Sequence, residues 1–506
     1  MSQLPLPLAS PSSLEFLETQ QSAPRSTDAG PIPAAARIFV NRNLRMDAIR
    51  AVGFDLDYTL AIYRQDEMDR LQTEVTLRKL IERGYPESLA TAPLRSDFAI
   101  RGLHVDKQLG HVLKMDRYRY VKRAYHGHAR LSRQERRRLY HSRPVQAGTK
   151  RYHWVDTLYA LPEVHVYATA VEHLEALRLA EGKDPELDYS ELFDDIRACI
   201  DLAHQDGSVV DVIAAHPERY IARDPQLPHA LSKLIEGGKR LFLITNSGPA
   251  YSELILSYLL DGAIPALPRW RNYFDAIVCA AKKPRFFTAC DLTMSPAEPD
   301  LAAPTDRFEP GRLYTGGCLS EMERLLALGG DEILYVGDHI YGDVLRAKKE
   351  SAWRTMMVIQ EMAAELSAHD KGRVDTARLD ELDRLAEAHA DELRLHLWQV
   401  QKLETAQAKK PTPATEKSLA THHKRIGRVR ARTKVLDEER ELLEDRIDRA
   451  FHPEWGALLK AGHEVSCFGD QVEQYACLYT DRVSNLVHYT SSHYFRGPRD
   501  RMPHEL

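Results

Sequence analysis

The 506 residues carry a formal net charge of −5, with 43% apolar and 28% charged side chains, the make-up of a globular protein too long for a single hydrophobic core. That balance gives no bulk attraction for nucleic acid or an anionic membrane. No apolar run has the length to cross a bilayer, and the six cysteines (Cys199, Cys279, Cys290, Cys318, Cys467 and Cys477) lack paired metal-binding spacing.

Residues 1–35 are rich in Pro, Ser, Ala and Gln without a hydrophobic period, which predicts a disordered extension. The N-terminus shows no basic-then-apolar leader. With the reduced thiols, this predicts a cytoplasmic protein with neither a nucleic-acid nor a membrane partner. Ala51–Phe54 reads as a buried strand of a parallel sheet, closed by Asp55-Leu56-Asp57-Tyr58-Thr59. Ligands of open parallel sheets bind beyond the carboxyl ends of the strands. Two carboxylates at that edge can divide a reaction between them. One attacks a phosphorus atom; the other gives a proton to the leaving oxygen and later takes one from water. The spacing alone does not decide, because two solvated turn acids with Thr59 capping a helix fit it too.

The interval from Thr59 to Thr245 far exceeds a direct strand-to-strand connection and must hold extra structure. It contains a basic, tyrosine-rich zone, Arg117-Tyr118-Arg119-Tyr120-Val121-Lys122-Arg123 with Arg136-Arg137-Arg138. Such interleaving can bind nucleic acid, but a solvated strand or helix face is the expectation here. Further on, Arg197 and Asp201 stand at i,i+4 on one helical face, as a simple ion pair would.

Arg240–Ile244 is the next apolar run. It ends in Thr245-Asn246-Ser247-Gly248, whose hydroxyls and backbone N–H groups could receive a phosphate oxygen. Phe274–Ala280 follows, then Lys282, Lys283 and Pro284, where a lysine can point its ammonium at a phosphoryl group. Ile333–Val336 ends in Gly337-Asp338, with Asp343 five residues beyond Asp338. Together with the acids after the first strand these carboxylates form an oxygen-rich site suited to Mg²⁺. Arg354–Ile359 reads as a fifth strand.

Leu379, Leu382, Ala386, His389, Leu393, Leu397 and Val400 recur at steps of three and four, as do Ile426, Val429, Thr433, Leu436, Leu443, Ile447 and Ala450. Lys409-Lys410-Pro411-Thr412-Pro413 separates the two runs. The pattern predicts a helical hairpin, either packed on the core or forming a subunit contact. The basic cluster Lys424, Arg425, Arg428, Arg430, Arg432 and Lys434 is expected on its solvated face.

The ordered set of Asp-x-Asp-x-Thr, Thr after a strand, Lys-Pro after a strand and Gly-Asp-x-x-x-x-Asp after a strand resembles the haloacid dehalogenase-like (HAD) phosphatases. Arg37–Arg42, Gly53–Tyr63, Gly84-Tyr85-Pro86, Tyr314–Gly317, Gly337–Asp343, His493–Arg496 and Met502–Glu505 are similar to the cytosolic purine 5′-nucleotidase family, and the chain is identified as a bacterial member of it. The resemblance implies an α/β fold: a HAD-like Rossmann-type core with a parallel sheet, a large cap inserted after the first motif, and a C-terminal helical hairpin. The boundaries expected are a core of 36–62 and 236–370, a cap of 63–235, a hairpin of 371–460 and a tail of 461–506 packing back on the core.

The implied activity is Mg²⁺-dependent hydrolysis of purine nucleoside 5′-monophosphates through an aspartyl-phosphate, with phosphotransfer to another nucleoside as a second outcome. Asp55 is the implied nucleophile and Asp57 the acid and base. Asp55, Asp57 (through its carbonyl), Asp338 and Asp343 are implied around the metal, and Thr245, Asn246, Ser247 and Lys283 around the phosphate. Arg197, Asp201 and His204 match a substrate-facing helix, and His128 takes the place of an aromatic that stacks on the base. Val210 stands where the family pattern has a lysine. A homo-oligomer, dimer or tetramer, is implied. Two alternatives stay open: a HAD phosphatase for another small ester, and a nucleotide-sensing or scaffolding protein with little turnover.

Overall fold

The computed structural model describes residues 32–140, 144–146, 148–288, 294–297 and 307–498. Most of the N-terminal extension, Cys290 and the Met502–Glu505 motif lie outside the described residues. At the centre is a nine-stranded sheet. Its strands are β1 (Phe39–Val40), β2 (Ala51–Phe54), β3 (Arg240–Ile244), β4 (Ala276–Cys279), β5 (Met294–Pro296), β6 (Leu313–Gly316), β7 (Ile333–Gly337), β8 (Arg354–Val358) and β9 (Leu478–Thr480). The spatial order is β1-β9-β8-β7-β2-β3-β4-β6-β5. Only the edge strands β1 and β5 run antiparallel to their neighbours.

The central strand β2 is buried at every position, which explains its unbroken apolar run. Gly53 pairs with Phe242 on one side and Tyr335 on the other. Those two rings lie 6.4 Å apart and nearly parallel. A Cβ at Gly53 would come within 2.0 Å of the Phe242 ring, so the glycine is what lets the aromatic pair close over the strand. From β2 the chain departs through the long insertion and returns as β3 on one side, while β7 occupies the other. The order reverses at β2, and this is where a parallel sheet opens a ligand crevice.

The insertion starts with α1 (Gln65–Glu82) and continues into a five-stranded antiparallel sheet. In spatial order its strands are Ala129–Arg130, Val121–His126, His111–Met115, Leu103–Asp106 and Tyr152–Val155. Helices α2 (Leu161–Ala180) and α3 (Tyr189–Gln205) follow and pack with α1. Helix α4 (Pro249–Leu260) leaves the end of β3.

The basic zone is not uniformly solvated. Arg123 is buried, ion-paired to Asp448 and donating to the Glu454 carbonyl. Arg136 is half-buried, whereas Tyr118, Tyr120, Arg137 and Arg138 are exposed.

Helices α5 (Arg373–Lys409) and α6 (Pro413–Phe451) pack against each other. Thr412 caps α6 by accepting from the Thr415 N–H. The buried seam uses Leu382, Val400, Ile426, Val429 and Leu443. Two expected seam positions, Leu397 and Ala450, are exposed. His396 is buried, and Leu397 is 42% exposed. The His396 and His422 Nδ1 atoms meet at 3.0 Å across the seam, so a polar contact takes the place that apolar spacing gave to leucine. Lys424, Arg425, Arg428, Arg430, Arg432 and Lys434 are exposed. Among the described residues no helix is long and apolar enough to cross a membrane.

Candidate active site

Asp55 follows β2 directly, and its N–H still donates to Val336 of β7 at 2.9 Å. The strand end therefore fixes its backbone. Its side-chain Oδ1 accepts from the Leu56 N–H at 2.7 Å and lies 2.8 Å from Lys283 Nζ. Lys283 also reaches Asp343 Oδ1 at 2.6 Å and donates to the Tyr335 hydroxyl at 3.2 Å. Burial alone would push the Lys283 ammonium down, but Asp343 and Asp55 hold it well above its usual range. Burial raises the Asp55 carboxyl; Lys283 opposes that, and Asp343, Asp338 and Asp57 add to it.

Asp338 follows β7 and is buried, with Oδ2 lacking any hydrogen-bond partner. Burial and the neighbouring Asp343 push it up to about 7. A π-helical turn over Ile340–Leu345 brings Asp343 back to the strand end, where its Oδ2 accepts from the His339 N–H at 3.2 Å. A Cβ at Gly337 would lie 2.5 Å from that same oxygen, so glycine is required for this return. One carboxylate oxygen from each of Asp55, Asp338 and Asp343 lies within 4.8 Å of the others. The donor set is oxygen only, and one member, Asp338, has a buried Oδ2 with no hydrogen-bond partner. Both features fit a hard divalent cation such as Mg²⁺.

Asp57 stands apart from that cluster. The Tyr63 hydroxyl donates to its Oδ1 at 2.6 Å and the Ser247 hydroxyl to its Oδ2 at 2.5 Å. Tyr58, between the acids and Thr59, has φ of 56°, a left-handed conformation that is costly for an aromatic residue. Its ring is buried against Tyr63 at 4.8 Å, which holds the turn.

These side chains open on one cavity of about 780 Å³. Its polar lining is Asp55, Asp57, Ser247, Lys283, Asp338 and Asp343; the rest includes Met68, Tyr159, His204, Val210, Ile213 and Tyr251. Tyr159 and His204 rings lie 4.6 Å apart. Burial lowers His204 to about 4, so its imidazole is neutral at neutral pH.

Residues 38–506 match the sequence model described as the 5′ nucleotidase family. The chain belongs to that family. It is accordingly a 5′-nucleotidase enzyme, one that hydrolyses nucleotide phosphate esters. It is 26% identical over 484 residues to a 5′-nucleotidase domain-containing protein of Dictyostelium discoideum, covering 93% of this chain and 75% of the relative. Against human 5′-nucleotidase domain-containing protein 2 it is 28% identical over 495 residues, covering 93% and 85%. Among solved structures, a predicted phosphoglycolate phosphatase from Haemophilus somnus aligns over 62% of this chain and 85% of its own at 12% identity, with a TM-score of only 0.25.

In this 5′-nucleotidase the remaining expected site residues fall in different places. Thr245 is fully buried; its Oγ1 accepts from the Ser247 N–H at 3.0 Å and its carbonyl from Ala281, so it shapes the loop. Asn246 exchanges two bonds with the Lys283 backbone, at 2.6 and 3.1 Å, and ties the two loops together with its side chain. Arg197 bonds His153 Nδ1 at 3.1 Å and sits 3.8 Å from Glu163, while Asp201 is exposed. Their i,i+4 spacing does not produce an ion pair. Of the substrate-facing set, only His204 lines the cavity.

His128 does not. Its Nδ1 bonds Glu172 at 2.6 Å and its ring packs edge-on to Phe98, because the turn that carries it folds onto α2 rather than toward the sheet edge.

Several site residues carried no individual signal in the sequence: Tyr63, Tyr159, Tyr251, Tyr335 and Arg101. Arg101 is fully buried, with Nε 2.8 Å and Nη2 2.5 Å from the Glu361 carboxylate and Nη1 3.1 Å from the Asp338 carbonyl. Asp156 of the insertion similarly meets His339 at 3.0 Å. Burial would lower the His339 imidazole, yet Asp156 lifts it to about 9.

Proposed function

We propose that the enzyme hydrolyses purine nucleoside 5′-monophosphates by a HAD-type mechanism, with Asp55 as nucleophile and Asp57 as proton carrier. The observation that carries this reading is the shared cavity. Asp55, Lys283 and the acid cluster line it, and so does a mostly apolar, aromatic wall of Met68, Tyr159, Val210, Ile213 and Tyr251. That wall suits a planar base, and a purine offers it more area than a pyrimidine.

Lys283 would neutralise part of the phosphoryl charge. The Ser247 hydroxyl and the N–H groups of its loop would receive phosphate oxygens, with Asn246 keeping the loop against Lys283. Asp55 attacks phosphorus in line while the ester P–O bond breaks, and Asp57 gives its proton to the departing 5′-oxygen. Water then attacks phosphorus and its proton returns to Asp57, which frees Asp55. A nucleoside hydroxyl in place of that water would make the second step a phosphotransfer. Asp55, Asp338 and Asp343 are the residues that would hold Mg²⁺, which when bound supplies positive charge that keeps the buried carboxylates ionised and offsets the phosphate. The apolar Val210 leaves the base-reading edge without a charged contact from that position, so the reading rests on shape and stacking.

The test is phosphate release from inosine, guanosine, adenosine, cytidine and uridine monophosphates and from sugar phosphates, with Mg²⁺. Purine monophosphates should have the highest kcat/KM. A sugar phosphate at the top of the series would assign the site to another small ester.

A further inference from the structure

Asp57 must keep one carboxyl oxygen aimed at the leaving group in both half-reactions, and a carboxyl with two free oxygens can turn. In this structure neither oxygen is free. Tyr63 OH lies 2.6 Å from Oδ1, and Tyr251 OH lies 2.8 Å from the Tyr63 oxygen. A phenol has one proton to give. Tyr63 gives its proton to the carboxylate, so the bond between the phenols must be donated by Tyr251. The direction of the chain is therefore fixed: Tyr251 to Tyr63 to Asp57 Oδ1. An ordinary phenol is protonated at neutral pH, so both are donors. Chains of this kind polarise one another and strengthen the terminal bond.

The other oxygen is held differently. Oδ2 accepts from Ser247, and Ser247 sits in the loop that would meet the phosphate. A phosphate arriving there can draw the serine hydroxyl away and leave Oδ2 facing the ester oxygen. Tyr63 also borders the cavity, but it is only 5% exposed and its single proton is already committed to Oδ1.

We propose that Tyr63, oriented by Tyr251, is a positioning residue that anchors Asp57 Oδ1 and so reserves Oδ2 for proton transfer. This rests on the assignment of Asp57 as proton carrier. The proton on Oδ2 passes to the leaving oxygen as the P–O bond breaks, and a proton from the attacking water returns to Oδ2. Tyr63 keeps its own proton throughout, so Tyr63→Phe removes the anchor without removing the acid.

The experiment measures single-turnover alcohol release and steady-state kcat and KM for wild type, Tyr63→Phe, Tyr251→Phe, Asp57→Asn and the Tyr63→Phe/Asp57→Asn double variant. The substrates are inosine 5′-monophosphate and a series of aryl phosphates of graded leaving-group acidity. Tyr63→Phe should slow release from the nucleotide about tenfold, with KM little changed, because a misaligned acid costs part of general acid catalysis. The most acidic phenol should leave at nearly the wild-type rate, so the dependence on leaving group steepens. Tyr251→Phe should act in the same direction and more weakly. In the Asp57→Asn background Tyr63→Phe should add nothing.

An equal loss on every ester would overturn the proposal. So would a rise in KM at constant kcat, or a full additional loss in the double variant. Equal thermal midpoints for wild type and the Phe variants exclude a folding defect. If wild type turns over the aryl esters and no nucleoside monophosphate, the nucleotide assignment falls while the aryl series still decides the role of Tyr63.

Discussion

Lys283 Nζ lies 2.6 Å from Asp343 Oδ1, and both side chains are buried. The same ammonium reaches Asp55 at 2.8 Å. One cation thus joins the β4 end to the strand that carries Asp55 and to the π-helical turn. Lys283→Met should destabilise the enzyme by about 3 kcal/mol in chelator, because it leaves carboxylates buried without their partner. Added Mg²⁺ should narrow the gap. Urea unfolding with and without Mg²⁺ checks both points, and an unchanged midpoint in chelator would show that the lysine is not structural cement for the acids.

Asp55→Asn keeps an oxygen for the Leu56 N–H and loses the attacking charge. Phosphate release should fall at least about a thousandfold, as for loss of a nucleophile, while the thermal midpoint holds. Near wild-type turnover in this variant would exclude a covalent route through Asp55.

The acid cluster makes a separate prediction for metal. Excess chelator should abolish turnover and Mg²⁺ restore it, with Ca²⁺ a poor substitute because its looser coordination disturbs in-line attack. Mg²⁺ should also raise the thermal midpoint of the wild type by binding the folded state alone. Asp338→Asn should weaken both effects. Full activity in chelator would remove the cation from the mechanism.

The strands that carry Asp55, Thr245, Lys283 and Asp338 were legible as apolar runs because a central parallel strand is buried on both faces. The two short strands at the β1 end of the sheet were not. Phe39–Val40 and Leu478–Thr480 are short, and they pair across most of the chain, so nothing local marks them. The acid cluster was legible because each member directly follows a readable strand or glycine turn.

The insertion side of the site was much less legible. Tyr159 and Met68 reach the cavity only through the packing of the insertion, and the resemblance singled out Arg197 and Asp201, which do not line the cavity. His128 was drawn in by a resemblance of sequence around a turn, and that turn packs on α2, with the ring on Phe98 and Glu172. Buried polar pairings such as Arg101 with Glu361 and the Asp338 carbonyl join residues far apart in the chain, and no periodicity encodes them.

Acid should loosen the inserted region before the core. Burial lowers His104 to about 3, and His111 and His204 to about 4, with His126 adding to the shift of His111. All three lie in the insertion. An unfolded histidine titrates near 6.5. The folded values are lower, so between about 6.5 and 3 the unfolded form binds more protons. Stability is therefore full above that window and is lost as pH falls through it. Hydrogen exchange, corrected for intrinsic rates, should show the amides of Leu103–Asp106 and His111–Met115 losing protection between pH 7 and pH 5 while β2 and β7 keep theirs. Loss in β2 first would refute this order.

Substrate reading gives the last prediction. Tyr159 and His204 line the cavity that the acids share, and His204 is neutral at neutral pH, so it offers packing and a hydrogen bond rather than charge. Tyr159→Ala and His204→Ala should raise KM for purine monophosphates about tenfold through lost stacking and packing. They should leave kcat nearly intact and barely touch phenyl phosphate, which is too short to use that wall. Arg197→Ala should act more weakly, through the His153 and Glu163 contacts that hold α3 to the insertion, and Asp201→Ala should do little. His128→Ala should leave KM for every nucleotide unchanged, because its ring faces Phe98 and Glu172. The measurement is kcat and KM for the five nucleotides and phenyl phosphate on each variant. A large KM effect at His128 with none at Tyr159 would place the base elsewhere in the insertion, and equal losses on phenyl phosphate would mean that the wall supports the acids rather than the nucleoside.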